Sequence, residues 1–223
     1  MSSSKRGGAL GHHQGRGAVA SGVAVEHVVR AAARHVHASR RLELGGLASE
    51  LGISRVTLHR RVGNREQLLA QALRFLAEQT FVLAERHWEV ALAAGRVPED
   101  SLPSLWKMAD FRRSVGDDPG LKHLIDEEPG LAMRLLTDPR GVVQPFTINL
   151  TAALLQRDVD TGVLRPLVDV GTLSYALIRL GESFLYADVL AARTPDLDVC
   201  TTLINALVLA SSDTAVAPGG APR

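Results

Sequence analysis

Between Ser54 and Arg61 the chain reads Ser-Arg-Val-Thr-Leu-His-Arg-Arg, and six of those eight side chains can donate a hydrogen bond to an anion or a polar edge. Leu58 and Val62, four residues apart, fall on one face of a helix and mark its buried side. Arg55, Thr57, His59, Arg60 and Arg61 are then left for the outer surface and the N-terminal end. A short cationic helix with hydrogen-bonding side chains fits the major groove of duplex DNA. The residues just before it suit a second helix crossing the first. Leu47, Ala48 and Leu51 make a buried face, and Ala48 is small enough for a close crossing. Gly52 can take the left-handed conformation that ends a helix, Ile53 plugs the gap, and Ser54 is a good N-cap. A plain helix hairpin has some of these features. The tight spacing, the Gly-Ile-Ser turn and the basic outer face together favour a DNA-reading unit.

The charge distribution points the same way. Net charge is +1 in 223 residues, which alone says nothing about nucleic acid. Up to Ala70, however, there are 11 Lys/Arg against 4 Asp/Glu, leaving 14 basic and 20 acidic residues in the remainder. A basic N-terminal part on a mildly acidic body implies an anionic partner for the former. Phosphate contacts that release counterions would supply much of its affinity.

Other chemistry finds little support. There is no nucleophile elbow, no His-Glu-x-x-His zinc pair and no phosphate-cradling glycine loop. His35 and His37 lie on opposite sides of a helix. Asp117-Asp118 and Glu127-Glu128 are adjacent carboxylates that face apart and suit helix capping. No catalytic residue, metal or cofactor is expected, and an all-helical hydrolase is a minor alternative. Cys200, the sole cysteine, excludes a disulfide within the chain and reads as a buried, inert thiol in a reducing compartment. No apolar run reaches the ~18–20 residues of a membrane span. No signal-peptide core follows Lys5 and Arg6, so a cytoplasmic, membrane-free protein is expected.

The positioning elements are predicted to be helical throughout, an all-α fold. Residues 1–21 and 212–223 read as disordered tails, with His12-His13 a solvated pair rather than a ligand set. Residues 22–70 form the helix-turn-helix domain and 71–211 a helical ligand-sensing and dimerisation domain. Within them, Val25 to Val36 has helical spacing, followed by short helices over Gly46–Leu51 and Ser54–Val62. A long helix runs from Arg65 to Ala94, with Asn64 and Gln67 as a capping box. Pro103, Pro119 and Pro129 open three further helices. Longer ones are expected over Val142–Asp160, Asp169–Arg193 and Asp196–Leu209.

The run Leu47 to Leu69 resembles the helix-turn-helix of TetR-family repressors. That family's Ile-Ala pair, Gly-Val-Ser turn, Thr-Leu-Tyr recognition helix and Ser-Lys-Glu start of the fourth helix correspond to Leu47-Ala48, Gly52-Ile53-Ser54, Thr57-Leu58-His59 and Asn64-Arg65-Glu66, followed by Leu68-Leu69. The likeness extends over Val25 to Ala72. Arg41-Leu42-Glu43-Leu44 and the Val62 to Leu69 segment also resemble regulators of quorum-signal (lactone) degradation. His59 stands where the family has Tyr, Val62 where it has Phe, and Glu43 near a phosphate-touching Thr. The resemblance implies a sequence-specific regulator bound to double-stranded operator DNA. Arg55, Thr57 and Arg60 are then candidates for base edges, and Ser54, His59, Arg61 and Arg65 for phosphates. Arg40 or Arg41 would take the contact that Glu43 cannot make.

For the body, operator geometry implies a homodimer, because two helices related by a twofold axis read a palindrome. The resemblance places that interface on the last two long helices, with Leu173, Leu177, Leu180, Phe184, Leu203, Ile204 and Leu207; internal core is the alternative reading for the same residues. Trp88, Trp106, Phe111, Phe146 and Tyr175 are candidate walls of an apolar pocket. Asn149, Arg179, Glu182 and Tyr186 are candidate polar groups within it. Such a pocket would admit a small apolar or amphipathic effector that releases a repressor from its operator. A DNA-binding dimer without ligand sensing is the alternative.

Overall fold

Every regular element among the described residues of the computed structural model, 24–191 and 193–213, is helical. Of the expected tails, residues 1–21, with His12-His13, and 214–223 lie outside the described residues. The chain opens with α1 (Val25–His37), α2 (Leu44–Glu50) and α3 (Arg55–Val62), followed by α4 (Arg65–Ala93). α5 (Pro103–Gly116), α6 (Pro119–Glu127) and α7 (Pro129–Thr137) each begin on the expected proline. α8 (Gln144–Asp160) and α9 (Val170–Glu182) form an adjacent pair. A π-helical turn (Ser183–Ala187), α10 (Asp188–Leu190) and α11 (Leu197–Asp213) complete the fold.

Two apolar cores share α4 as their common strut. At 29 residues and ~1.5 Å rise per residue it spans roughly 43 Å. Its first turns bury Leu68, Leu69, Ala72 and Leu73 against α1, whose Ala31, Ala32 and Ala33 allow a close crossing. α2, α3, α6 and α7 contribute to this same core through Leu47, Leu58, Leu124 and Leu131. Further along, Phe81 stacks on Phe111 of α5, ring centroids 4.1 Å apart, in a second core with α8, α9 and α11. α6 joins the α1–α3 head to the rest. Gly120 in its first turn lies so close to α1 that an added Cβ would sit 2.1 Å from the Val36 carbonyl oxygen.

Two boundaries differ instructively from the sequence expectation. The helix predicted over Asp169–Arg193 leaves α geometry at Ser183 and ends at Leu190. Arg193 then turns back, its amide donating to the Asp188 carbonyl oxygen (2.8 Å) and its guanidinium pairing with the Asp188 carboxylate (2.7 Å). The last helix runs on to Asp213, beyond the expected start of the tail at Ser212.

Candidate functional site

The α2–α3 unit is closed by local interactions along its whole length. Gly52 adopts φ +65°, the left-handed conformation that lets the chain leave α2, and the Ile53 amide donates back to the Ala48 carbonyl (3.0 Å). Ser54 caps α3: its hydroxyl accepts from the Thr57 amide at 3.0 Å and lies 2.9 Å from the Thr57 hydroxyl. Leu58 and Val62 turn inward and are buried. At the far end Asn64 and Gln67 make the full capping box. α2 is pinned to α1 through Glu50, whose carboxylate lies 2.6 Å from His35 Nε2 and 3.4 Å from Arg34. The His35 hydrogen bond, with the charges of His35 and Arg34, holds that carboxyl below its usual value.

The side of α3 opposite Leu58 and Val62 faces solvent. Val56 and Arg60 are exposed there, with His59 exposed on the flank and Arg55 exposed at the N-terminal end, and Arg40 and Arg41 are exposed on the loop before α2. The Arg55 guanidinium folds back over α2, where a Cβ on Gly45 would meet it. The result is a cationic convex helix face with hydrogen-bond donors, suited to a groove lined by base-edge acceptors and flanked by phosphates.

In the body, α4, α5, α6, α8 and α9, with the end of α1, enclose a cavity of about 450 Å3. Leu73, Leu76, Phe81, Met108, Phe111 and Leu177 are among the apolar residues of its wall. Glu182 reaches it with its carboxylate already engaged, accepting from Gln144 (2.8 and 3.0 Å) and Arg179 (2.8 Å). Burial pushes the Glu182 carboxyl up, against the opposing effect of those donors. Burial also raises the Tyr186 phenol, and the neighbouring Glu182 charge adds to it. Val36, His37 and Asp118 line the same cavity at the α1–α6 junction, where His37 Nδ1 and the Asp118 carboxylate are 3.0 Å apart.

Comparison with known proteins matches this geometry. Residues 104–209 match the tetracyclin repressor-like C-terminal domain family. The structure of the R. erythropolis transcriptional repressor QsdR, from the TetR family, superposes with a TM-score of 0.70 and 26% identity, over 89% of this chain and 97% of that one. The chain has the all-α TetR fold. A TetR transcription regulator from Haloarcula marismortui aligns at 18% identity and a TM-score of 0.49, over 84% of this chain and 97% of that one. No curated protein matches the chain in sequence.

Within this TetR fold the expected DNA-facing residues separate into groups. Arg55, His59 and Arg60 are exposed together on α3; Ser54 is exposed at its cap, with Thr57 half-buried beside it. Arg61 is half-buried, with one guanidinium nitrogen enclosed. Arg65 departs from its expected place at a phosphate. Its Nε donates to the Leu42 carbonyl (2.8 Å), and Nη1 and Nη2 make a fork with the Glu128 carboxylate (2.8 and 2.5 Å). That fork consumes the geometry a phosphate would need and ties the head to the start of α7. Val56, which has no hydrogen-bonding group to single it out, is 78% exposed on the outer face. The same period that buries Leu58 and Val62 places it outward.

The expected pocket residues also divide. Phe111, Glu182 and Tyr186 line the cavity. Trp88 and Trp106 instead meet edge to face (5.6 Å) beside Lys107, in a cluster with Glu85 and Arg157. Phe146 lies under the Arg74 guanidinium (4.7 Å). Asn149 and Tyr175 are exposed, and Arg179 reaches Glu182 from the outside. Aromatic and polar residues at helical spacing therefore fell on three different surfaces, because spacing does not specify which face meets the cavity. Arg112 and Thr151, which the sequence reading passed over, are buried in the cavity wall. Among the described residues no helix is long and apolar enough to cross a membrane.

Proposed function

We propose that this chain is a ligand-responsive transcriptional repressor that binds a palindromic operator as a homodimer. Residues 22–70 would carry DNA binding, and 71–211 sensing and dimerisation. The observation that carries the reading is α3 itself, where His59 and Arg60 stand exposed on the outside and Arg55 at the N-terminal end, on a helix whose Leu58 and Val62 are buried. Arg55, Thr57 and Arg60 are assigned to base edges, and Ser54, His59 and Arg61 to phosphates. Arg65 is assigned to the head–body strut. Repression as the sign of regulation follows the R. erythropolis relative, which is described as a transcriptional repressor. A role as a regulator, acting on DNA in the cytoplasm and not as an enzyme, is supported by the TetR fold.

Dimerisation is supported by an apolar surface on α9 and α11. Leu173, Leu177 and Ile204 belong to the internal core, while Tyr175, Ala176, Val199, Leu203 and Ala206 are exposed on the other side of the same two helices. Tyr175 alone is 52% exposed. Ligand response is supported by the cavity, whose volume lies in the range of about 300–1,000 Å3 usual for small-molecule sites. Because Val36 and His37 of the head share its wall, an occupant that fits one head orientation better than another shifts the spacing of the two α3 helices.

The test is fluorescence anisotropy of the full chain on DNA flanking its own gene, against a scrambled duplex at physiological salt. The native duplex is expected to bind at least about a hundredfold tighter, a preference within the usual range for specific recognition. Arg60→Ala is expected to remove most of that preference, as loss of a base contact costs about 1–3 kcal/mol. Equal, weak binding of both duplexes and of a random-sequence pool overturns the reading.

A further inference from the structure

The cavity wall contains a buried cation without an anion. Arg112 is 8% exposed and pairs with no carboxylate among the described residues; its guanidinium makes one hydrogen bond, from Nη2 to the Thr201 hydroxyl at 3.2 Å, and its Nε has no partner. Also in the cavity wall, on α8, Thr151 is 0% exposed and its hydroxyl lacks a partner. The carboxylates lining the same cavity are committed elsewhere: Glu182 to Gln144 and Arg179, Asp118 to His37 and the Leu121 amide. A buried charge is costly unless paired, and a buried polar group unless hydrogen-bonded. An incompletely partnered guanidinium in the wall of an apolar chamber therefore describes a site whose missing component is an acceptor carrying negative charge.

We propose that the cavity takes an amphipathic carboxylate, its anionic head paired with the Arg112 guanidinium and its hydrocarbon chain against Leu73, Leu76, Phe81 and Leu177. The proposal rests on the reading of this cavity as the effector site, and it narrows that site to a charged class of ligand. The cation supplies the discrimination: an alcohol of equal chain length fills the apolar part but leaves Arg112 unpaired. A quaternary ammonium of equal length brings like charges together.

The experiment is titration calorimetry of the full chain with decanoate, decanol and decyltrimethylammonium, each below its micellar concentration, followed by DNA anisotropy with each compound present. Decanoate is expected to bind about tenfold to a hundredfold tighter than decanol, the span of a hydrogen bond to a charged group. The ammonium is expected not to bind. Arg112→Met is expected to erase the preference for decanoate while leaving decanol binding unchanged, and Arg112→Lys to retain part of it. Because Arg112→Met removes an unpaired buried charge, its melting temperature should not fall, so lost binding cannot be assigned to misfolding. Equal affinity for decanoate and decanol, or an unchanged decanoate affinity in Arg112→Met, overturns the carboxylate head group. Absence of binding by all three compounds overturns it as well. Decanoate binding with the expected preference but no change in DNA affinity leaves the carboxylate site standing and removes the effector reading.

Discussion

Ser54 and Thr151 are both small hydroxyl side chains on helices, and the molecule treats them oppositely. In the head, the Ser54 hydroxyl caps α3 and touches Thr57 through both its backbone and its side chain. In the body, the Thr151 hydroxyl is buried with nothing to bond. The same contrast holds on a larger scale. The head ends each helix with a cap or a turn bond, pins α2 to α1 through Glu50, and fastens itself to α7 through the Arg65–Glu128 fork. The body keeps a cavity of about 450 Å3 and lets a helix slip into π geometry beside it, at Ser183–Ala187. A part that must present the same helix face to DNA every time is closely packed and capped, with the enclosed Arg61 guanidinium nitrogen its exception. A part that must yield to an occupant keeps unsatisfied groups and incomplete packing.

The sharpest way to break this comparison is to truncate a leucine in each region. Leu58→Ala, beneath α3, is expected to cost about 2–5 kcal/mol, the usual range for a fully packed leucine. Leu177→Ala should cost less, since its cavity-facing side has fewer atoms to lose contact with. Equal losses by chemical denaturation would mean the body is as tightly packed as the head. Next in size is Gly120→Ala at the junction. The added methyl drives into the Val36 carbonyl, an overpacking worth about 1–3 kcal/mol. Its signature is a lower melting temperature together with weakened operator binding, because α1 must move.

Smaller effects of opposite sign separate the two hydroxyls. Ser54→Ala removes the α3 cap and is expected to destabilise by about 1 kcal/mol. Thr151→Val removes an unpartnered buried hydroxyl and should raise stability by up to about 1 kcal/mol; a loss there would reveal a hydrogen bond that the structure lacks. The smallest effect is in the acid response. The carboxyls of Glu50 and Glu128 sit below the usual 4.5, held there by His35 and by Arg65 respectively. Their contribution is complete above about pH 4.5 and is lost as the pH falls through the lower folded values. Glu182, raised by burial, has the opposite sign: its ionised form opposes folding at neutral pH and that opposition fades on acidification. Hydrogen exchange measured between pH 6 and 3 should therefore show α1–α2 opening before the α8–α9 pair. Simultaneous opening would remove the regional distinction.

Much of the head was legible because its determinants are local. Gly52, Ser54, Asn64 and Gln67 act within four residues of themselves, and the inward face of α3 follows from Leu58 and Val62 alone. The prolines at 103, 119 and 129 announced their helices for the same reason. Val56 could have been read outward by that period. Side-chain destinations that depend on distant helices were not legible. The Arg65 fork needs Glu128, 63 residues away. The choice between Arg112 and Arg113 as the buried one depends on Gly181 and Thr201, on α9 and α11. The sequence by itself determined that the chain is helical, where most helices begin, and that a basic helix face stands behind a glycine turn, because capping, backbone conformation and helical period are properties of short segments. Only the tertiary structure decided which polar side chains line the cavity, which aromatics lie outside it and which arginine braces the head. Each of those outcomes is set by the packing angle between helices far apart in the chain, and residue spacing along one helix carries no information about that angle.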